Sequence, residues 1–344
     1  MKFILSYNKG LFNNPDTIFN HEPKLSFIYW GNLLVNNLMG PTGCNALDTK
    51  KSTSILKSYS EAVERRALMA GGYQNKRNEV DYFNLINNTV GKIDVSYTRY
   101  SIDKNYFSDT TGTAAHFTSE KVIYKALTEL IEKNCLFLFW YGLLGKKVEV
   151  DNKDSFHLTL EKEGYKVDVY EIDYFAPFIT FVTIVHNGKD FVYSCGVSGN
   201  INKYFALKNS ILEAYLLFWK NTYQNLVNSL YNDFSKKSHI EFIAHLKNFP
   251  NSDTNYNNYK LRDKLAHGNV KDIIKILPEW ITEMNVVMLK TTVKRTNKTV
   301  LVFSRDLYNH IPLKRAIDLE KTINKKTINL TEQELASLPE CMIV

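Results

Sequence analysis

Five glutamates stand where apolar residues are the rule. They lie in "SYSEAVER" (58–65), "LTELIEK" (127–133) and "SILEAY" (210–215), three otherwise alanine-rich, apolar stretches. At 100° per residue, Ser58, Glu61 and Arg65 fall within about 60° of one another. They flank a stripe made by Ile55, Tyr59, Ala62 and Val63, which places them at a boundary rather than in open solvent. Glu129 and Glu132 sit one helical turn apart, and Glu213 stands alone in an apolar segment. A buried carboxylate loses several kcal/mol of hydration unless partners replace it, and Arg65 and Lys133 supply only two local positive charges. Divalent metal is the simplest remedy. Mg2+ prefers oxygen, takes one or two carboxylates per ion, and fills its other positions with water and nucleotide phosphates. Periodicity alone favours a plainer reading, solvated helix faces with i,i+4 pairs such as Glu61 with Arg65 and Glu129 with Lys133. Neither a Walker A loop nor a GxGxxG turn is present to cradle phosphates.

The elements that must position these carboxylates alternate in type along the chain. "STSILKSYSEAVERRALMAGG" predicts a helix capped by Ser52 or Thr53 and stopped by Gly71-Gly72. "SEKVIYKALTELIEKNCLFLFWYG" predicts a second, starting near Ser119 after a small-residue loop, "TTGTAAH". From 146 to 195 the pattern changes to strands: "KVEV", "YKVDVYEI", then "FITFVTIV" and "KDFVYSC" joined by His186-Asn187-Gly188, a hairpin signal. "SCGVSG" then reads as a loop leading into a third helix, "YFALKNSILEAYLLFWKN". The last third mixes helical stretches with one more hairpin, "VVMLKTTV" and "TVLVFS" around "KRTNK". The three acidic helices form a weak internal echo, too loose for a solenoid repeat.

With 344 residues, 44% of them hydrophobic, the chain can bury a sizeable core, and no Pro-rich or Gly/Ser linker divides it. The excess of 43 basic over 36 acidic residues is dispersed, without the basic run of a nucleic-acid tail, and suits an acidic peptide or a polyphosphate. Four distant cysteines, Cys44, Cys135, Cys195 and Cys341, fit a reducing cytoplasm, and Cys135 and Cys195 read as core. The longest apolar run, "CLFLFWYGLLG", is too short to span a membrane. A soluble cytoplasmic protein with no nucleic-acid partner is expected. Eight histidines show no HExxH spacing, so zinc is not expected. His116, in the loop before the second helix, is a candidate for proton transfer or for a structural hydrogen bond.

These motifs, in this order, resemble the YcaO family, enzymes that use ATP to activate peptide backbone amides. Ser58, Glu61, Ala62, Glu64 and Arg65 match its SxxEAxER element. "GTAAHFTSEKVIYKALTELIEKNCLFLFW" resembles its second signature and "GVSGNINKYFALKNSILEAY" its third. The resemblance covers 48–215 and reverses the solvated-surface reading. It implies an α/β (α+β) fold, with strand-loop-helix units placing three acidic helices around a nucleotide site. It also implies one compact catalytic domain over 1–344, completed by 220–344.

Carried over by position, Ser58, Glu61, Glu64, Arg65, Glu129, Glu132 and Glu213 are expected to contact ATP, with Glu120 and Lys51 as further candidates, and the five helix glutamates to hold Mg2+. The chain departs from the family pattern at Lys133-Asn134, Phe117 and Leu216. Azoline-forming relatives often end in a PxPxP tail whose carboxylate lies at the active site. Here the sequence reads "SLPECMIV", and the Val344 carboxylate is a candidate base. The implied activity is cyclodehydration of Cys, Ser or Thr in a ribosomally made precursor peptide to thiazoline or oxazoline. Thioamide or amidine formation, and a non-catalytic ATP-binding scaffold, remain alternatives. The implied partners are the precursor, an E1-like leader-binding protein and an FMN-dependent dehydrogenase, in an oligomeric complex.

Overall fold

The computed structural model describes residues 4–7, 24–35, 37–75, 77–103, 106–151, 155–230, 236–256, 268–291 and 297–343. Three sheets carry the architecture. An antiparallel three-stranded sheet orders the strands Ile4–Tyr7, Lys24–Tyr29 and Cys44–Asp48. A five-stranded antiparallel sheet runs Thr113–His116, Lys298–Phe303, Asn285–Met288, Glu79–Asn84, Thr89–Asp94. A second five-stranded sheet runs Val192–Asn200, Ile179–His186, Lys166–Ile172, Lys146–Val150, Asn251–Tyr256, its last pair parallel.

The three acidic helices form as the periodicity predicts. The first spans Lys51–Ala70 and ends at Gly71, whose φ of 77° and N–H bond to Ala67 O close it. Its cap is Lys50 rather than Ser52 or Thr53, and Lys51 is its first residue instead of part of the preceding loop. The second spans Ser119–Gly142 and the third Lys203–Leu230.

The second helix explains its own composition. Cys135 to Tyr141 are all buried, because this half of the helix lies between the two five-stranded sheets. Ala114, Val300 and Val302 pack on it from one sheet, and Tyr170, Val182 and Cys195 from the other. A helix enclosed on all sides must be apolar on all sides, which accounts for "CLFLFWY". Cys135 and Cys195 are core residues, as expected. The third helix covers the opposite face of the second five-stranded sheet through Leu207, Ile211, Ala214 and Phe218. The first helix packs Ala62 against Ile28 and Cys44 of the three-stranded sheet, and Ala67 and Leu68 against Val287 and Leu301 of the first five-stranded one.

Two segments read as loops are strands. "TTGTAAH" contributes Thr113–His116, and "SCGVSG" lies wholly within Val192–Asn200. Their small residues serve packing. A Cβ on Gly196 would stand 2.1 Å from Ser210 O and 2.3 Å from Ala214 N, so only glycine lets the third helix approach this strand. Gly112, at φ 74°, turns the chain into the Thr113 strand with Val302 O only 2.2 Å from where a Cβ would be.

Both expected hairpins form. His186 pairs with Val192, and Asn285–Met288 pairs antiparallel with Lys298–Phe303. The carboxyl segment returns to the core: Trp140 Nε1 donates to Pro339 O at 2.9 Å, and Cys341 and Ile343 are buried. Among the described residues no helix is long and apolar enough to cross a membrane.

Candidate active site

The carboxylates of three helices meet in one cleft. Glu61, Glu64, Glu129, Glu132 and Glu213 are each half-buried, and their charges act on one another: Glu61 on Glu64, Glu64 and Glu132 on Glu129, and Glu213 on Glu61 and Glu132. Two of them are anchored in the same way. Glu61 accepts the Asn45 N–H at 2.9 Å and Glu213 the Val197 N–H at 2.7 Å, and in both cases the donor lies sixteen residues upstream on the preceding strand. The internal echo of the sequence is therefore a repeated strand–helix unit. Glu132 accepts the Gly199 N–H at 2.6 Å, tying the second helix to the strand before the third. Thr113, sixteen residues before Glu129, gives its hydroxyl to Glu64 at 2.9 Å instead.

Burial raises the pKa of every one of these carboxyls, and neighbouring carboxylates add to it at all but Glu213. Burial and then Glu61 push Glu64 up to about 8. Burial and Glu213 push Glu132 up to about 8 against the Gly199 N–H. Glu129 is raised well above the carboxylate range by burial, Glu64, Glu132 and Asp109. Glu61 and Glu213 are raised by burial, opposed chiefly by Arg65 and by Lys133 respectively. Burial works against the charge of Lys133, but Glu213, Glu129, Glu132 and Asp109 outweigh it and raise its pKa. Arg65 bonds Glu61 at 2.5 Å and also donates to Gly43 O. Five carboxylates thus share Arg65 and Lys133, with weaker help from Lys125 at Glu64 and from Lys220 at Glu61.

That deficit is the test of fit for divalent cations. Among the described residues no three His, Cys, Asp or Glu side chains approach closely enough to cage a metal alone. This donor set suits Mg2+ brought with a nucleotide, which needs one or two carboxylates and completes its shell with phosphates and water.

The remaining expected residues are placed as follows. Ser58 is buried and bonded to Ser26 at 2.6 Å beside Ser54, in a hydroxyl cluster joining the first helix to its sheet. Glu120 is exposed in the first turn of the second helix, and Lys51 is exposed at the start of the first. His116 ends its strand. Its Nδ1 accepts the Thr118 N–H at 3.1 Å, which places the proton of the neutral ring on Nε2. Val344 lies outside the described residues.

Asp109 is the group that sequence reasoning missed. It accepts the Thr111 N–H at 2.7 Å and the Ile311 N–H at 2.8 Å, and it adds charge beside Glu129 and Lys133. No helical period marks a lone aspartate in a loop.

A family profile described as YcaO cyclodehydratase, ATP- and Mg2+-binding, matches residues 80–294, more than half of the chain. The chain belongs to the YcaO family. ATP and Mg2+ are accordingly its cofactors, and it is an enzyme of the ATP-dependent cyclodehydratase kind. The matched span begins after the first acidic helix, so the structure alone joins Glu61 and Glu64 to the rest.

Solved structures show the same fold. A chain of the E. coli microcin synthetase McbBCD complex with pro-MccB17 bound has 17% identity and a TM-score of 0.65, over 93% of this chain and 92% of that one. YcaO from Methanopyrus kandleri bound with AMPPCP and Mg2+ has 12% identity and a TM-score of 0.63, over 84% of each chain. A heterocyclase in complex with substrate and cofactor has 12% identity and a TM-score of 0.66, over 92% of this chain and 52% of that one. No curated protein matches the sequence.

Proposed function

We propose that this chain is an ATP-dependent cyclodehydratase that forms thiazoline or oxazoline rings from Cys, Ser or Thr of a ribosomally synthesised precursor peptide. The observation that carries the reading is the convergence of five glutamates from three helices on a half-buried cleft with too few cations. Glu61, Glu64, Glu129, Glu132 and Glu213 hold Mg2+, and Arg65 orients Glu61. When bound, Mg-ATP supplies the phosphoryl group that turns an amide oxygen, a poor leaving group, into a good one. The chain's own part is to fix the carboxylates on strand N–H groups before the nucleotide arrives and to keep water scarce around them.

The whole chain, 1–344, acts in this reading as one catalytic domain. Its support is the burial of the carboxyl segment against the second helix. A separate protein presents the leader of the precursor, and an FMN-dependent dehydrogenase follows in the same assembly. Support comes from the fold shared with a chain of McbBCD, a complex whose structure holds pro-MccB17.

The test is mass spectrometry of the precursor incubated with the chain, its leader-binding partner, Mg2+ and ATP. Each ring appears as the loss of one water, and Glu129→Gln and Glu213→Gln abolish it. Water loss that needs no ATP, or that survives both substitutions, refutes the reading.

A further inference from the structure

Between the strands Lys24–Tyr29 and Cys44–Asp48 the chain leaves its sheet and crosses the second half of the first helix. A pocket of about 300 Å³, counting its open mouth, lies where they meet. Arg65, Arg66 and Met69 line it from one face of the helix, and Trp30, Leu33 and Pro41 from the crossing segment. The two arginines differ in what they already hold. Arg65 donates to Gly43 O and pairs with Glu61 at 2.5 Å, so it is the wall between this pocket and the glutamate cleft. Arg66 is half-buried, gives one N–H to Trp30 O at 2.6 Å and lies over the Trp30 ring, 5.5 Å from its centroid. Among the described residues no carboxylate pairs with Arg66. A guanidinium carries five N–H donors in a planar fork, and stacking on an indole leaves the edge of that fork for a carboxylate.

The rim is apolar where a loop in water would be polar. Leu34–Val35 and Leu38–Met39 pair as a short hairpin, closed at its base by the Gly40 N–H bond to Leu33 O at 3.0 Å. Gly40 seats that base on the helix, since a Cβ there would lie 2.7 Å from both Cγ and Sδ of Met69. Leu34 and Met39 stand directly opposite each other and share one face, 64% and 58% exposed. Val35 and Leu38, on the other face, are only half-buried. A two-stranded hairpin is marginal in water and gains nothing from apolar residues on both faces unless something covers them.

We propose that this pocket and hairpin grip the substrate peptide through an acidic residue with an apolar neighbour, the carboxylate on Arg66 and the apolar side chain against Trp30 and the hairpin. Charge and place select this occupant. A cation without a carboxylate asks for an acid, and apolar walls ask for an apolar neighbour. Arg65 alone separates the pocket from Glu61, so a peptide held here is brought beside the reacting site, as positioning for an intramolecular-like step requires. The grip rests on the reading that the glutamate cleft serves peptide modification, and it adds where the peptide is held.

The probe is a synthetic octapeptide with blocked ends that carries Asp, p-benzoylphenylalanine and Leu in succession, set against the same peptide with Lys in place of Asp. After irradiation with the full chain, mass spectrometry should place the cross-link of the Asp peptide in 30–44 or 62–69. Arg66→Gln should weaken that labelling by about 10- to 100-fold in peptide titrations, the range of a lost hydrogen bond to a charged group, and the Lys peptide should be as weak on the parent. Leu34→Ser combined with Met39→Ser, at exposed positions, should weaken it several-fold and serves if Arg66→Gln does not fold. Calorimetry should show Mg-ATP binding unchanged in both variants. Cross-links elsewhere, equal labelling by the Asp and Lys peptides, or variants that label as the parent does overturn the grip, and Mg-ATP binding by the parent then leaves the nucleotide reading standing. Variants that lose Mg-ATP along with the peptide overturn it too, since the pocket would then only shape the nucleotide site. A parent that sediments as a dimer and becomes a monomer with Leu34→Ser and Met39→Ser overturns it by showing that a second copy covers the hairpin. Labelling of the pocket in a parent that binds no Mg-ATP upholds the peptide site and refutes the cyclodehydratase reading.

Discussion

Glu132→Gln should stabilise the ligand-free protein and abolish nucleotide binding, and the two effects together test the site. Glu132 accepts the Gly199 N–H at 2.6 Å, and a glutamine oxygen can keep that bond. The substitution removes a charge set near Glu213 and Glu129 in a buried cleft. Its carboxyl is pushed up from 4.5 to about 8, so the folded protein holds this proton where the unfolded chain has released it. Stability is therefore full below about pH 4.5 and falls as pH rises toward 8. At 1.36 kcal/mol per unit, the shift bounds the loss at roughly 4 kcal/mol at pH 8. Sharing of charge among the other carboxylates and Lys133 brings the expected figure nearer about 2 kcal/mol, or a few degrees in Tm for a chain of this size.

The assay is thermal melting of parent and Glu132→Gln from pH 5 to 8.5, with and without Mg-ATP. At pH 5 the two ligand-free proteins should melt close together, because only the first part of the loss sets in just above the unfolded pKa of 4.5. At pH 8 the variant should melt higher without ligand, and Mg-ATP should raise the melting temperature of the parent alone. A variant that melts at or below the parent at pH 8, or that is stabilised by Mg-ATP as the parent is, refutes the charge-crowding argument.

Glu129→Gln and Glu213→Gln should each weaken Mg-ATP by at least about 10-fold in calorimetry, the cost of losing a charged ligand. Glu61→Gln should lower stability as well as binding, because Glu61 carries both Arg65 and the Asn45 N–H, and denaturant titration separates it from Glu129→Gln. Gly196→Ala should destabilise the fold by about 1–3 kcal/mol or more, since the new methyl meets backbone of the third helix; an unchanged urea midpoint would contradict the packing. Ile343→Ala should cost about 2–4 kcal/mol in urea titrations, as a buried side chain on a docked tail. ATP turnover, followed by phosphate release, should rise when the leader-binding partner and precursor are added, and equal rates would point to a self-sufficient enzyme.

The helices were legible because they are written in side chains at a fixed period, whereas that period alone read their glutamates as solvated and only the family resemblance reversed it. Ile55, Tyr59, Ala62 and Val63 fix one face, and Glu61 and Glu64 interrupt it where a solvated helix would place its lysines. The strand Thr113–His116, and the part of Val192–Asn200 that runs beyond the expected "KDFVYSC", were not legible. Their glycines, alanines and serines have low strand propensity, and the reason for them lies in a partner element remote in sequence. Gly196 makes sense only against Ala214 and Ser210. The hydroxyl pairing of Ser58 is hidden for a related reason, because its partner Ser26 is thirty-two residues away on another strand. The donors to Glu61 and Glu213 are backbone N–H groups, which leave no mark on residue type at all.

Those backbone donors explain how a cleft so rich in like charge stays assembled before its ligand arrives. A side-chain donor would need its own space and would lose rotamer freedom, whereas a strand N–H is already fixed by its sheet. Asn45 and Val197 sit on strands whose neighbours hold them rigidly, and the following helices are pressed onto those strands by Ala62 on Cys44 and by Ala214 on Gly196. One oxygen of each glutamate is thereby fixed in direction. The other oxygen of Glu61 is taken by Arg65, and the charge of Lys133 offsets that of Glu213. The repulsion that remains falls on Glu64, Glu129 and Glu132, whose protons are the most strongly held. In the proposed function, Glu64, Glu129 and Glu132 would give up those protons to a metal brought with nucleotide, on carboxylates already positioned by the sheets and helices that carry them.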